Sequence, residues 1–226
     1  MNALTIWSNR TEKHGTGGWE RFMRLKSAII VAALAASLAG CSTIGQMRLF
    51  TNDYGGVSDA GYQLPRIPIE KVPRQFHRQI VSYDTKEKPG TIIVDTGNKF
   101  LYFVLPEGEA VRYGIGVGRE GFEWSGSAHV ALKREWPTWT PPSQMIKRQP
   151  ELAQYRNGMD PGLKNPLGAR ALYLFNKGGD SGYRLHGTPE WWSIGKAMSS
   201  GCIRLMNQDI IDLYSRAEVG AKVIVM

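Results

Sequence analysis

From residue 79 onward the sequence is cut into short runs rich in Ile, Val, Tyr and Phe, parted by Gly, Pro and Asn. That pattern favours a loop-rich, β-rich fold over a helical bundle. Gln79–Asp84, Thr91–Asp95, Lys99–Leu105, Glu109–Val117, Ala128–Glu135, Ala169–Phe175 and Lys222–Met226 read as strands. Pro89-Gly90 separates the first two, and Gly97-Asn98 reads as a tight hairpin turn. Two segments read as helices. Residues 144–154 are a weak one, broken by Pro150. Asn207–Ala217 is stronger, with Asn207 as a cap, an apolar face of Ile210, Ile211, Leu213, Tyr214 and Ala217, and Gly220 as a stop. The expectation is a mostly β, mostly antiparallel domain over residues 79–226 with one late helix. Gly (26) and Pro (12) are plentiful, and 42% hydrophobic residues suffice for a core.

The first 78 residues have a different character. Met23-Arg24-Leu25-Lys26 is basic, Ala28–Leu38 is a small and apolar run, and Leu38-Ala39-Gly40-Cys41 closes it. A basic start, a short apolar core and small residues before a cleavage point make a secretory signal. The run is too short for a spanning helix. Residues 1–22 are polar and do not fit the signal, so Met23 reads as the start, with residues 1–22 an over-extended frame. Residues 41–78, with Gly55-Gly56, Pro65, Pro68 and Pro73, read as a tether. The net charge of +8 falls to +5 once residues 1–40 are removed, and the remaining positives are scattered. No basic block or aromatic-interleaved patch supports a nucleic-acid partner. A mildly basic exported protein suits an anionic polymer such as cell wall.

Gly114-Ile115-Gly116-Val117-Gly118 lacks the spacing and the following helix of a nucleotide loop, so it reads as a strand end that another backbone approaches closely. His77, His129, His186 and Cys202 have no metal-ligand spacing, and no metal site is expected. The chemistry concentrates at Ser199-Ser200-Gly201-Cys202-Ile203-Arg204. Cys202 is the only cysteine of the folded region, either a reactive group or a simple buried thiol. The serines and Gly201 before it form a tight turn rather than a core strand. His186 lies 16 residues upstream, at the end of a strand-like run. A neighbouring imidazole makes the thiolate accessible, and backbone N–H groups around Gly201 and Cys202 could hold an oxyanion.

His186-Gly187-Thr188 followed by Ser199-Ser200-Gly201-Cys202-Ile203-Arg204, with Glu135–Pro142 and Asn165–Leu174 upstream, resembles the L,D-transpeptidases with a YkuD (ErfK/YbiS-type) catalytic domain. The resemblance covers about residues 90–226. It implies a β-sandwich-like domain without metal or organic cofactor. It implies Cys202 as nucleophile, His186 as general acid/base, and Ser199 and Gly201 as shapers of the oxyanion turn. Arg204 and Ser200 are candidates for substrate contact, with a structural salt bridge the even alternative for Arg204. Trp136, Trp139, Trp191 and Trp192 either line a substrate groove or pack. The implied reaction is attack on a peptidoglycan tetrapeptide stem and transfer of the acyl group to an amine, for cross-linking or for attachment of a protein such as an outer-membrane one. Hydrolysis of the same bond and a non-catalytic wall-binding lipoprotein are the alternatives. The Leu-Ala-Gly-Cys ending likewise resembles a lipobox, which implies lipidation of Cys41 and a periplasmic, membrane-anchored protein; Ser42 favours the outer membrane.

Overall fold

The computed structural model describes residues 54–119 and 124–226. The apolar run ending in Cys41, the proposed start at Met23 and the first part of the tether lie outside these residues. Two short strands, β1 (Val57–Asp59) and β2 (Tyr62–Leu64), form a hairpin, and single 3-10 turns follow at Ile69–Lys71 and Arg74–Phe76. Then come β3 (Gln79–Ser82), β4 (Ile92–Asp95), β5 (Phe100–Val104), β6 (Glu109–Gly114), β7 (Val117–Gly118) and β8 (Gly126–Glu135). Helix α1 (Ser143–Arg148) and a 3-10 stretch (Pro150–Tyr155) replace the helix expected over 144–154; Pro150 marks their junction. β9 (Arg170–Asn176), β10 (Gly179–Thr188), a 3-10 turn (Trp191–Ser193), β11 (Ala197–Ser199), β12 (Ile203–Met206), α2 (Asn207–Arg216) and β13 (Lys222–Val225) complete the chain.

Nine strands form one sheet in the order β12-β10-β9-β8-β13-β4-β5-β6-β3. Most neighbours are antiparallel, as the sequence predicts, but β10 runs parallel to β12 and β4 parallel to β13. β7 and β11 pair separately, also in parallel. An antiparallel bridge joins Gly116, just after β6, to Arg204 in β12, so the two flanks of the sheet meet. Their facing side chains share one core, including Ile92, Leu101, Val111, Tyr113, Val130, Leu172, Leu185, Leu205 and, from α2, Ile210 and Leu213. The result is the sandwich-like, mostly β architecture expected.

Asn207 does not cap its helix. Its Oδ1 accepts the Ala169 N–H at 2.9 Å, tying α2 to the entry of β9. The cation at the far end is Lys133, whose Nζ donates to the carbonyls of Tyr214 and Ala217 at 2.7 Å each. The β4–β5 connection is a four-residue loop. Asp95 Oδ1 accepts from the Asn98 backbone, and Lys99 takes the left-handed conformation in place of a glycine (φ 65).

The tether expected over residues 41–78 does not extend across 54–78. Tyr54, Leu64, Ile67, Val72 and Phe76 are all buried, as single apolar anchors spaced without periodicity. Asp59 binds Arg170 through two hydrogen bonds of 2.7 Å, and that guanidinium, together with the Trp136 indole, holds the Asp59 carboxyl below the usual range. Gln208 donates to the carbonyls of Gly55 (2.9 Å) and Pro65 (3.1 Å). The Tyr54 hydroxyl donates to Asp209 at 3.3 Å and accepts the Arg78 backbone N–H at 2.6 Å. Asp209 is fully buried, and burial pushes its carboxyl up to about 7 despite Arg78 at 3.6 Å.

Candidate active site

The site is built on the parallel β10–β12 pair. The register aligns Leu185 with Ile203 and His186 with Arg204. Aligned residues of neighbouring strands share a face, and alternate residues of one strand do too. Leu185, Ile203 and Leu205 therefore turn to the core with Ile210 and Leu213 of α2. His186 and Arg204 turn to the other face. Arg184 lies on that face by alternation, and Cys202, directly before β12, has its thiol under the influence of the Arg184 backbone and of the Arg184 and Arg204 cations. Two pairs of residues, Arg184 with His186 and Cys202 with Arg204, lie 16 to 20 positions from each other in sequence and are brought together by the β10–β12 pairing.

The turn before Cys202 is held by its own side chains. Ser199 is buried; its Oγ donates to the Cys202 carbonyl at 2.6 Å and accepts the Gly201 N–H at 3.2 Å. Gly201 adopts φ 118, a conformation that a side chain would strain. The Ser199 carbonyl accepts the Arg119 N–H at 3.0 Å, anchoring the turn on the segment after β7. Ser200, half-buried beside them, has no role fixed by this geometry.

His186 is buried, and its Nδ1 lies 2.6 Å from the carbonyl oxygen of its neighbour Gly187. A carbonyl only accepts, so Nδ1 carries the proton and Nε2 keeps its lone pair free. Burial, reinforced by the charges of Arg204 and Arg184, takes the imidazole down to about 4, against the pull of the Gly187 carbonyl. Burial also pushes the Cys202 thiol up, opposed by the Arg184 backbone and by the Arg184 and Arg204 cations. At neutral pH the resting pair is neutral imidazole and neutral thiol. Such a pair can pass a proton from sulfur to Nε2 as the sulfur attacks an electrophile.

A consequence for activity follows. An imidazole neutral down to about pH 4 keeps its base form through the range where an ordinary histidine protonates. The acid limb of kcat/KM should therefore lie nearer pH 4 than 6.5; a limb centred at 6.5 would contradict this environment. Stability carries the same signature. The unfolded His186 takes up a proton below about 6.5 that the folded one refuses, so its contribution is lost as pH falls toward 4. Asp209 works in reverse: raised to about 7, it loses stability as pH rises from 3.8. The two offset each other. Asp209→Asn should gain stability relative to the wild type as pH rises from 4 to 7, by up to about 1.4 kcal/mol per pH unit. Thermal melts across that range read it, and a pH-independent difference would refute it.

Both cations are tethered by carboxylates. Arg204 pairs with Glu190 at 2.7 Å, and Arg184 with Asp180 at 2.7 Å while its guanidinium lies over the Tyr173 ring. The salt bridge set against substrate contact for Arg204 is thus present, but Glu190 and Asp180 are each 46% exposed and within reach of an exchanging anion. Trp136 is not in this cluster. It is buried, stacks on Tyr62 at 4.0 Å and donates its indole N–H to Asp59 at 2.7 Å. Trp139 bridges to Met159 through the backbone and lies 6.3 Å from the Tyr155 ring. Trp191 packs with the buried N-terminal residues, whereas Trp192 is 49% exposed. His129, on β8, is exposed.

Gly187, Arg184 and Glu190 were not singled out from sequence. The Gly187 contribution is a main-chain carbonyl, which leaves no side-chain signal. Arg184 sits two positions before His186, so a full drawing of β10 would have placed it on the site face. Among the described residues no group of three or more His, Cys, Asp or Glu side chains could hold a metal ion.

Residues 89–225 match the family model of the YkuD L,D-transpeptidase catalytic domain. A relative is the probable L,D-transpeptidase ErfK/SrfK of Escherichia coli K12, 33% identical over 150 residues, 65% of this chain and 46% of that protein. Another is the probable L,D-transpeptidase YcfS of the same organism, 36% identical over 137 residues, 58% and 42% respectively. The matches thus span about half the length of these relatives. A crystal structure of a probable carnitine operon oxidoreductase CaiA from Brucella melitensis shares 44% identity and covers 70% of this chain and 99% of that one. Its TM-score of 0.48 is too low to bear on function.

Proposed function

This chain belongs to the YkuD family of L,D-transpeptidase catalytic domains, and from that premise we propose that it is a peptidoglycan L,D-transpeptidase acting through Cys202 and His186. The observation that carries the proposal is Cys202 directly before β12, whose Arg204 aligns with His186 on the parallel strand β10, with Nδ1 of His186 held by the Gly187 carbonyl.

In the proposed reaction, Nε2 of His186 takes the Cys202 thiol proton as sulfur bonds to the carbonyl carbon of the third residue of a tetrapeptide stem. Backbone N–H groups of the Gly201–Cys202 turn stabilise the oxyanion. The carbon–nitrogen bond then breaks, and the leaving D-alanine amine takes the proton from His186. An acyl-thioester remains. An acceptor amine attacks it, gives its proton to Nε2 and releases the thiolate, which is reprotonated. Water in place of the amine yields a trimmed stem. Arg204, and Arg184 beside it, supply positive charge for substrate carboxylates on this face. No step needs a metal or organic cofactor.

We also propose export, lipidation at Cys41 and residence in the periplasm on a membrane, the outer one because Ser42 follows the cysteine. The acceptor is then another stem or an outer-membrane protein. Mass spectrometry of the mature N-terminus should find acylated Cys41; an unmodified peptide spanning Gly40-Cys41 would refute the anchor. For the activity, purified protein is incubated with tetrapeptide muropeptides and the products are weighed. Cross-linked or amine-exchanged stems with released D-alanine support transfer. Trimmed stems alone indicate a carboxypeptidase, and no product at all would leave a wall-binding protein.

A further inference from the structure

The segment 54–78 lies upstream of the family-matched residues, yet its apolar anchors reach the elements that carry the site. Tyr54, Ile67, Val72 and Phe76 form one buried cluster with Ile194, Met206 and, partly, Trp191. Met206 ends the strand that begins next to Cys202, and Trp191 and Ile194 belong to the loop that carries Glu190 and leads to Ser199.

Phe76 is the point where this cluster touches the site scaffold on two sides. On one side is Gly195, whose absent Cβ would collide with the Phe76 ring and whose φ of 82 already favours glycine. On the other is Gly114, where a Cβ would fall 2.5 Å from Phe76 Cβ. Phe76 is therefore wedged, its backbone and Cβ against the end of β6 and its ring against the 190–196 loop. From each side a short chain of bonds leads to the site. Gly195 N–H donates to the Ile115 carbonyl at 2.9 Å, locking the two sides to each other. The next residue, Gly116, exchanges two backbone hydrogen bonds of 2.9 Å with Arg204 and leaves no space for a side chain against the Ser193 carbonyl. Ser193 in turn fixes the Glu190 carbonyl through its N–H at 2.9 Å and its hydroxyl at 2.7 Å. Lys196, next to Gly195, accepts the Val117 N–H at 3.0 Å, where β11 begins its run to Ser199.

We infer that Phe76 is a positioning residue for the reactive centre: wedged between Gly114 and Gly195, it sets the 190–199 loop and hence the Glu190–Arg204 pair and the Ser199 turn that hold Cys202. The segment 54–78 is on this account part of the working site and not only a spacer. The inference takes from the proposed function only that Cys202 is the reactive thiol.

The test compares full-length Phe76→Ala and Phe76→Leu with wild type, and Arg66→Ala as a control in the same segment, since the exposed Arg66 pairs with the exposed Glu70. Two readouts are taken per folded molecule: the pH dependence of Cys202 alkylation by iodoacetamide, and kcat and KM for stem transfer. Loosening the loop lets water reach the thiol, whose shift comes chiefly from burial. Phe76→Ala should therefore alkylate faster, with its pH midpoint lower by half a unit or more, while kcat falls at least tenfold and KM changes less than threefold. Phe76→Leu should move both readouts in the same direction by a smaller amount, and it carries the test if the alanine variant does not fold. Arg66→Ala should match the wild type. A wild-type alkylation profile and wild-type kcat in Phe76→Ala, or in Phe76→Leu together with a lowered melting temperature, would reduce Phe76 to ordinary packing and overturn the inference. If the wild type transfers no stem at all, the proposed function fails, and the alkylation profiles alone still decide the role of Phe76.

Discussion

Replacing Cys202 by alanine is expected to abolish transfer and hydrolysis together, leaving turnover at background. Both routes pass through the same sulfur–acyl bond, so no branch of the reaction survives its loss. Cys202→Ser should be nearly as inactive. A hydroxyl ionises far above a thiol, and the neutral imidazole here, held near 4, is too weak a base to activate it. The thiol is also larger and more polarisable, so the serine oxygen would sit short of the carbonyl that sulfur reaches. Neither change should disturb the fold much, because the Ser199 hydroxyl holds the Cys202 carbonyl and not its side chain. Circular dichroism and melting temperature check that point alongside the activity assay. Substantial serine activity would move the nucleophile elsewhere.

His186→Ala carries the second large effect. General acid–base help is worth about 10²–10⁴-fold in rate, and the loss should fall on kcat, since the imidazole is buried and adds little to binding. The informative control is His129→Ala. His129 stands exposed on β8, away from the β10–β12 pair, and its removal should leave kcat within about twofold of the wild type, as surface substitutions away from special features usually do. If His129→Ala kills activity and His186→Ala spares it, the wrong histidine has been placed at the centre. Steady-state kinetics on tetrapeptide stems with folded variants separates these cases.

The strands that alternate or run apolar between turn residues were legible in the sequence: the segments predicted at Thr91–Asp95, Lys99–Leu105, Ala128–Glu135 and Ala169–Phe175 each contain or match an observed strand. So was the late helix, because its apolar face repeats at helical spacing. The parallel pairing of β10 with β12 was not. It depends on where distant strands lodge in the sheet, and nothing local distinguishes a parallel neighbour from an antiparallel one. The His186–Cys202 spacing suggested a pair, but only the β10–β12 register explains what brings the two together. The helix cap was misassigned to Asn207 because the sequence cannot show a competing partner such as the Ala169 N–H. The segment 54–78 was read as a tether for a related reason. Its buried residues are isolated anchors among Pro and Gly, and they become visible as core only against Ile194 and Met206. Trp136, a candidate for the substrate groove, is enclosed by that same segment, through Tyr62 and Asp59.

The central claim is that Cys202 carries the acyl group, and a trapped intermediate tests it most directly. Enzyme and tetrapeptide stem are mixed without an amine acceptor, quenched in acid within the first turnover, digested and weighed. The account predicts the acyl group, the stem less its terminal D-alanine, on the peptide containing Gly201-Cys202-Ile203, labile to hydroxylamine as a thioester and absent from Cys202→Ala. An acyl group on any other residue, or turnover with no covalent species on Cys202, would contradict it.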